Sequence, residues 1–361
     1  MRQKFLLYIT YAYSIPICKP LEKEIKLRGM EVKWFVEDEK TKAYLNNQED
    51  ILTIKEAINY EPHIVLTATD YVADFISGIK VQIFHGFPAN KRKGTDQFII
   101  RNFFDLYCTQ GNTSTPNFKT KSKQLKHFEV VETGWSKMDA LFPLKNRLKN
   151  NKPTILVSST FTKKYSLALN TDLQEELKRL SKIGKWHFDI VLHPLINKEI
   201  VTKFKSFQNE NLTYHDTTNL IPLFEKSDVM LCDTSSALIE YLLQIKPVVT
   251  FKNNMPLPSY INVTEVSQIE EALSYALSKP NEIIEYIKKY ANESHTFKDG
   301  KSSKRVIDAT LNFLYKDKTH LKIKPLSIIR KYKIRKKLNH WTWTSYRKPI
   351  TISADQFESK L

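Results

Sequence analysis

Residues 227–251 read S-D-V-M-L-C-D-T-S-S-A-L-I-E-Y-L-L-Q-I-K-P-V-V-T-F, and this stretch decides the fold that we expect. The apolar run 229–232 is typical of a buried strand, and 237–245 has apolar residues at helical spacing. Residues 248–251 are typical of the next parallel strand. The stretch therefore predicts a strand–turn–helix–strand unit whose turn lies at the carboxyl end of a strand, where open α/β sheets bind ligands.

The turn in this unit offers groups that suit an anion. Ser235 and Ser236 carry hydroxyls, and the first N–H groups of the following helix have no partner within the helix. Such donors are typical of a phosphate site. The alternative is that Asp233 or Ser235 only caps the helix.

Length and charge limit the class of protein. The 361 residues are too many for one ordinary core and fit two domains. The net charge of +17 predicts an acidic partner, which could be nucleic acid, an anionic membrane or a phosphate-bearing substrate. The cysteines at 18, 108 and 232 are far apart and form no zinc motif, so we expect free thiols in a reducing compartment.

Strand-like and helix-like segments alternate in both halves of the chain, which predicts doubly wound parallel α/β sheets. We expect strands at 5–9, 32–36, 63–67, 80–84, 105–109, 130–133, 154–158, 189–192, 212–214, 229–232 and 248–251. We expect helices at 20–28, 41–46, 54–59, 71–77, 171–183, 220–225, 237–245, 266–277 and 283–290. A last helix is expected to follow the basic turn at 297–305 and to end at 315. The polar run 145–152 reads as a linker, which predicts domains at 1–147 and 148–318 and a tail at 319–361.

Two histidines follow predicted strands directly. His85 precedes Gly86 and the basic residue Lys91, and a histidine in such a loop can act as a general base near neutral pH. His193 ends another strand and could donate to a phosphate oxygen. The alternatives are a solvated surface loop for His85 and a hydrogen bond to a carbonyl for His193.

Further polar turns also follow strands. The hydroxyls of Ser159 and Thr160 follow the strand at 154–158, and Gly134 begins a turn in which Asp139 either caps a helix or binds a ligand. No GxGxxG pattern is present, which argues against a dinucleotide-dependent oxidoreductase.

Six motifs in this order match one family. They are F-H-G-F-P-A-N-K, T-G-W-S-K-M-D-A-L-F, S-S-T-F-T, L-H-P, the stretch from 227 onward, and D-G-K-S-S-K-R-V. Over about residues 60–315 the chain resembles the CDP-glycerol glycerophosphotransferases, the polymerases and primases of teichoic-acid type.

The resemblance implies a GT-B fold, in which two Rossmann-like domains face each other across a cleft. It implies transfer of a phospho-polyol, such as glycerol phosphate, from a CDP-activated donor to a hydroxyl of a cell-surface glycan or lipid-linked acceptor, with neither metal nor cofactor. By resemblance His85 is the base, and the acceptor or phosphate loops include Gly86, Lys91, Gly134 and Asp139. The donor-binding residues implied are His193, Ser235, Ser236, Asp233, Thr234, Glu240 (at the ribose), Ser159 and Thr160.

The chain departs from the family pattern at three places, which bear on the identity of donor and acceptor. Phe87 replaces the usual Thr after His-Gly, Thr234 replaces a Tyr, and Ser159-Thr160-Phe161 stands where a Pro-Thr-Tyr/Phe run is usual.

Three other functions compete with this one. A UDP-N-acetylglucosamine 2-epimerase or another sugar-nucleotide GT-B enzyme would share several motifs, but usually carries a D-S-G-G turn. A nucleic-acid partner is not expected, because no binding motif is present and about ten of the surplus charges lie in the tail. A catalytically inactive scaffold is the third.

The tail from 321 to 348 contains ten Lys or Arg residues and no acidic one, with Trp341, Trp343 and Tyr346 at its end. Such a composition predicts contact with an anionic leaflet. The alternative is a last helix that packs back on the first domain. No run of 18 apolar residues is present, so we expect a cytoplasmic protein bound peripherally to the inner face of the cell membrane.

Overall fold

The structure is a computed structural model that describes residues 2–45, 50–88, 98–145 and 152–353. The chain forms two compact units. The first unit holds the described parts of Met1–His85, Phe98–Ala140 and Phe297–Leu361, and the second holds those of Gly86–Gln97 and Leu141–Thr296. Each unit contains its own sheet.

The first unit is built on a seven-stranded parallel sheet in the order β3-β2-β1-β4-β5-β6-β7. Its strands are β1 Lys4–Ile9, β2 Glu31–Val36, β3 Ile51–Leu52, β4 Ile64–Thr67, β5 Ile79–Gln82, β6 Leu106–Thr109 and β7 Glu129–Glu132. Its helices are α1 Ile15–Leu27, α2 Glu39–Lys42, α3 Ile54–Asn59 and α4 Thr115–Leu125, with 3-10 turns at Ala12–Ser14 and Ser136–Ala140. The strand order reverses between β1 and β4.

The second unit is built on a six-stranded parallel sheet in the order β10-β9-β8-β11-β12-β13, which is the Rossmann strand order. Its strands are β8 Thr154–Ser159, β9 His187–Leu192, β10 Leu212–Tyr214, β11 Val229–Cys232, β12 Val248–Phe251 and β13 Ile261–Val263. Its helices are α5 Thr171–Ile183, α6 Lys198–Ser206, α7 Ile221–Lys226, α8 Ala237–Leu242, α9 Ile269–Leu277 and α10 Asn281–Ser294, with 3-10 turns at Leu167–Leu169 and Val266–Gln268.

The expectation of two doubly wound parallel sheets is confirmed. The central strands read as continuous apolar runs because both faces of a parallel sheet are covered. All residues of β11 and β12 are buried, for example. The three cysteines are free and buried, as the sequence predicts.

Several elements differ from the expectation. Helix α1 begins at Ile15, with a proline in its first turn, so Pro20 lies inside the helix rather than at its start. Residues 71–77 are not helical, although Phe75 and Ile76 are buried, because the segment packs as an irregular turn that Gly78 closes at φ 83°. Helices α4 and α6 were not expected, because their sequences are mostly polar and show few apolar residues at helical spacing.

The last two helices, α11 Ser302–Tyr315 and α12 Ile328–Lys337, belong to the first unit. The predicted division assigned residues up to 318 to the second domain. The difference has a packing reason: α11 lies against α1, where Arg28 binds the Asp308 carboxylate at 2.6 Å.

Helix α12 is fixed to the first sheet by apolar and ionic contacts. Ile334 is part of the buried core cluster of this unit. Arg335 donates to the Asp74 carboxylate at 2.8 Å, and Lys331 lies 3.3 Å from the same carboxylate. Ahead of the helix, Lys324 binds the buried Asp105 at 2.6 Å. Several of the tail's cations are therefore used inside the first unit.

Within the described residues, no helix combines the length and the apolar character needed to cross a membrane.

Candidate active site

The switch point of the second sheet lies between β8 and β11, which are hydrogen-bonded neighbours with Cys232 opposite Ser158. Strand β8 ends at Ser159 and Thr160 follows it, and the chain leaves β11 through residues 233–236. Since ligands bind at such a reversal of strand order, these loops are the candidate donor site.

Asp233 connects the two loops at this point. Its side chain is fully buried and accepts hydrogen bonds from the Ser159 hydroxyl at 2.8 Å, the Thr160 N–H at 2.9 Å and the Leu167 N–H at 3.0 Å. Through these hydrogen bonds, Asp233 and Ser159 hold the two loops in place. Beside Asp233, burial and the Asp233 charge raise the pKa of the Cys232 thiol, which stays neutral.

The turn after Asp233 presents its hydroxyls in two ways. Thr234 is buried, and its hydroxyl accepts from the Asn254 N–H at 3.2 Å. Ser235 and Ser236 are half-buried; the Ser235 hydroxyl accepts from the Ala237 N–H at 3.3 Å. Ser236 occupies the N-cap position of α8 without a side-chain capping bond. The two serines are thus the hydroxyls of this turn that solvent or a ligand can reach.

His193 has a defined orientation and tautomer. Its ring packs on Phe161 with centroids 4.5 Å apart, and its Nδ1 accepts from the Leu195 N–H at 3.1 Å. Because Nδ1 is the acceptor, the neutral ring carries its proton on Nε2. Nε2–H is therefore a hydrogen-bond donor at the end of β9.

The other predicted donor residues are enclosed. Thr160 is 4% exposed and gives its backbone N–H to Asp233, and Glu240 is 3% exposed on α8.

In the first unit, His85 is an exposed residue just beyond β5. Phe84 before it has φ 59°, a left-handed conformation that is strained for a bulky side chain. The buried Trp135 donates its indole N–H to the Phe84 carbonyl at 3.0 Å, and the Phe84 ring packs on Phe118. The turn that begins at Gly134, with φ 77°, thus holds the backbone that presents His85.

Asp139 at the end of this turn is a helix cap. Its two carboxylate oxygens accept from the Ser302 and Ser303 N–H groups, each at 2.7 Å, at the start of α11. The capping alternative is the one that the geometry favours for this residue.

Gly86, the residue after His85, is counted with the second unit. A Cβ built on Gly86 would lie 3.2 Å from the Ser236 hydroxyl oxygen in that unit, so a side chain at 86 would crowd the serine turn. Lys91 lies outside the described residues.

Sequence reasoning missed two tyrosines that follow β1. Tyr13 packs on the His85 ring with centroids 5.5 Å apart, and Tyr11 stacks on Tyr13 at 5.4 Å. Burial raises the pKa of the Tyr13 hydroxyl well above its usual range. The signal available was their position, since both follow the strand at which the order of the first sheet reverses.

Among the residues that the structure describes, no three His, Cys, Asp or Glu side chains lie close enough together to hold a metal ion.

Comparisons with solved structures identify similar folds. The UDP-GlcNAc 2-epimerase from Neisseria meningitidis bound to UDP-GlcNAc is 16% identical over 86% of this chain and 100% of its own, with a TM-score of 0.58. The wall teichoic acid polymerase TagF is 14% identical over 86% of this chain and 89% of its own, with a TM-score of 0.63. A TagF variant soaked with CDPG is 16% identical over 86% and 88%, with a TM-score of 0.61.

These likenesses show a fold of the GT-B-like type. No curated protein matches the chain. The family model for CDP-glycerol:poly(glycerophosphate) glycerophosphotransferase matches residues 26–312, which is most of the chain and includes His85, His193 and the serine turn. The chain therefore belongs to the family of CDP-glycerol:poly(glycerophosphate) glycerophosphotransferases.

Proposed function

We propose that this enzyme transfers glycerol phosphate, or a similar phospho-polyol, from a CDP-activated donor to a hydroxyl of a cell-surface glycan or lipid-linked acceptor. The observation that carries the proposal is the serine turn at the switch point of the second sheet. Ser235 and Ser236 are its reachable hydroxyls, and Asp233 fixes the loops around them.

The roles that we propose for the donor-binding residues follow from the charge of the CDP-activated donor. When the bond between the transferred phosphorus and the CMP oxygen breaks, negative charge develops on the leaving phosphate. The hydroxyls of Ser235 and Ser236 and the Nε2–H of His193 are donors that can stabilise this charge. We propose that they do so without a metal ion.

The acceptor side needs a base. An acceptor hydroxyl has a pKa far above neutral, so its proton must be removed as its oxygen attacks the phosphorus. We propose that His85 takes this proton while the acceptor oxygen forms the new ester bond and CMP leaves with the electron pair. Tyr13 supports the imidazole ring on one side.

The donor assignment predicts a loss of CDP affinity. Ser235→Ala and His193→Ala should each raise the Kd for CDP about 10- to 100-fold, because each removes a hydrogen bond to a charged phosphate. Calorimetry with CDP measures this effect, and UDP in a parallel titration separates this function from a UDP-sugar enzyme. The control is Ser206→Ala, because the Ser206 hydroxyl donates to the Lys203 carbonyl on α6. Unchanged CDP affinity in both variants would place the donor elsewhere.

We also propose that the tail contacts an anionic membrane. Although α12 packs on the first unit, Ile328 and Ile329 are 67% and 73% exposed, and Trp343 is fully exposed. Together with the basic residues around them, these side chains are of the kind that enters the headgroup region.

Flotation tests this contact. Full-length protein should float with anionic vesicles at low salt and be released as salt rises. The double variant Ile329→Gln/Trp343→Ala should bind at least about 10-fold more weakly, because two large apolar side chains no longer enter the bilayer surface. The control is Leu195→Gln/Tyr275→Ala, which changes exposed side chains of the second unit. If the tail variant floats as well as wild type, or wild type never floats, the tail is structural.

A further inference from the structure

A cavity of about 440 Å³ lies in the first unit, at the edge of the sheet where β1 and β4 end. Tyr11 and Asp70, from the segments after these strands, line it together with Arg101. Helix α12 supplies Arg330, Lys333 and Lys337 on another side. These three residues lie beyond the part of the chain that the family model covers.

The charges around this cavity are unbalanced. Four cationic side chains and one carboxylate line it, and Arg101 pairs with that carboxylate, Asp70, at 2.5 Å. Lys337 is paired with Glu37 outside the cavity. Across the described parts of the chain, neither Arg330 nor Lys333 has a carboxylate within ion-pair distance. The cavity therefore has two cations available for an anion.

The orientation of α12 explains why these cations line the cavity. Residues 330, 333 and 337 are spaced at three and four positions, so they share one face of the helix. The adjacent face is locked, because Ile334 is in the core and Arg335 is paired with Asp74. The helix cannot turn its cations away without breaking a buried ion pair.

A line of aromatic rings connects the cavity with the proposed base. Tyr11 lines the cavity and stacks on Tyr13 at 5.4 Å, and Tyr13 packs on His85 at 5.5 Å. Two ring-to-ring contacts thus connect the cavity wall at Tyr11 with the imidazole of His85. Stacked tyrosines offer apolar faces with polar edges, which suit a polyol chain.

We propose that this cavity binds a phosphate group of the acceptor, so that a hydroxyl further along the acceptor reaches His85. Arg330 and Lys333 are then the residues that hold this phosphate, and they lie outside the part of the chain that the family model covers. Arginine and lysine are the usual partners of phosphate oxygens. This inference rests on the proposed function, because it assigns a binding site for the acceptor of that reaction.

Direct binding tests the inference without requiring turnover. The probes are a soluble oligomer of glycerol phosphate and the same oligomer linked to lipid in neutral phosphatidylcholine vesicles. The variants are Arg330→Gln/Lys333→Gln and a control of equal charge change, Lys322→Gln/Lys336→Gln, at exposed positions of the tail. The cavity variant should bind either probe about 10- to 100-fold more weakly than wild type, and the control should bind like wild type. The soluble and lipid-linked arms show which source of phosphate the cavity accepts.

Kinetics add a second readout. With CDP-glycerol as donor, the cavity variant should show a raised KM for the oligomer, an unchanged kcat and an unchanged KM for the donor. Lack of oligomer binding by wild type, or equal loss in both double variants, would overturn the inference. If wild type binds the oligomer through Arg330 and Lys333 but releases no CMP from CDP-glycerol, the proposed function fails and the phosphate site stands.

Discussion

His85→Ala is expected to lower kcat about 10²–10⁴-fold, the range that loss of a general base produces. The affinity for CDP should stay close to the wild-type value, because the donor groups belong to the second unit. The physical reason is the high pKa of an acceptor hydroxyl, whose proton has no other base assigned to it. Steady-state CMP release from CDP-glycerol, with saturating acceptor, measures the change.

A matched control separates this effect from a general loss of structure. His320 is an exposed histidine of the same unit that contacts Glu129, so His320→Ala should keep nearly full activity. Thermal unfolding of both variants should resemble wild type, because neither side chain is in the core. Wild-type turnover by His85→Ala would remove the base assignment, and loss of activity in both variants would point to a structural cause.

The sequence predicted the strand framework well, because a parallel strand that is buried on both faces is a short run of apolar residues. The runs 229–232 and 248–251 coincide with β11 and β12, and 212–214 coincides with β10. The runs of β11 and β12 are short, buried and largely apolar, and a polar residue directly follows each of the three strands. The loops at the strand ends followed from the same pattern, which is why His85, His193 and the serine turn could be located without a structure.

What the sequence could not predict were partners far apart in the chain. The basic composition of the tail predicted a surface charge, yet Arg335 and Lys324 are buried against Asp74 and Asp105. Residue pattern reports whether a position is apolar, but not which carboxylate neutralises a cation that is more than 200 residues away. For the same reason the cavity lined by Tyr11 and α12 had no signal in the sequence.

The same limit applies to Asp233, for which a cap or a donor ligand were the sequence-based hypotheses. Its carboxylate accepts hydrogen bonds from the Ser159 hydroxyl and from two backbone N–H groups of the loop after β8, partners that neither hypothesis named. Because this side chain is fully buried and accepts these bonds, we expect it to affect donor binding through the loops that it holds.

Asp233→Asn is accordingly expected to destabilise the second unit by about 1.5–3 kcal/mol, because hydrogen bonds from neutral donors to a buried charged acceptor are lost. The amide keeps the shape of the side chain, but it has one acceptor oxygen where the carboxylate has two, and its NH₂ group faces N–H donors. Hydrogen exchange at the amides of β8 and β11 measures the loss locally, which avoids assuming that both units unfold together.

Ser235→Ala provides the contrast that makes this prediction specific. Its half-exposed hydroxyl carries one local bond, so its removal should change the local free energy of opening by less than about 1 kcal/mol while CDP affinity falls. Asp233→Asn should weaken both stability and CDP affinity, because a loosened pair of loops no longer holds the hydroxyls in place. If Asp233→Asn keeps wild-type exchange rates in β8 and β11 and loses only CDP affinity, the carboxylate is a direct donor ligand and the structural role assigned to it is wrong.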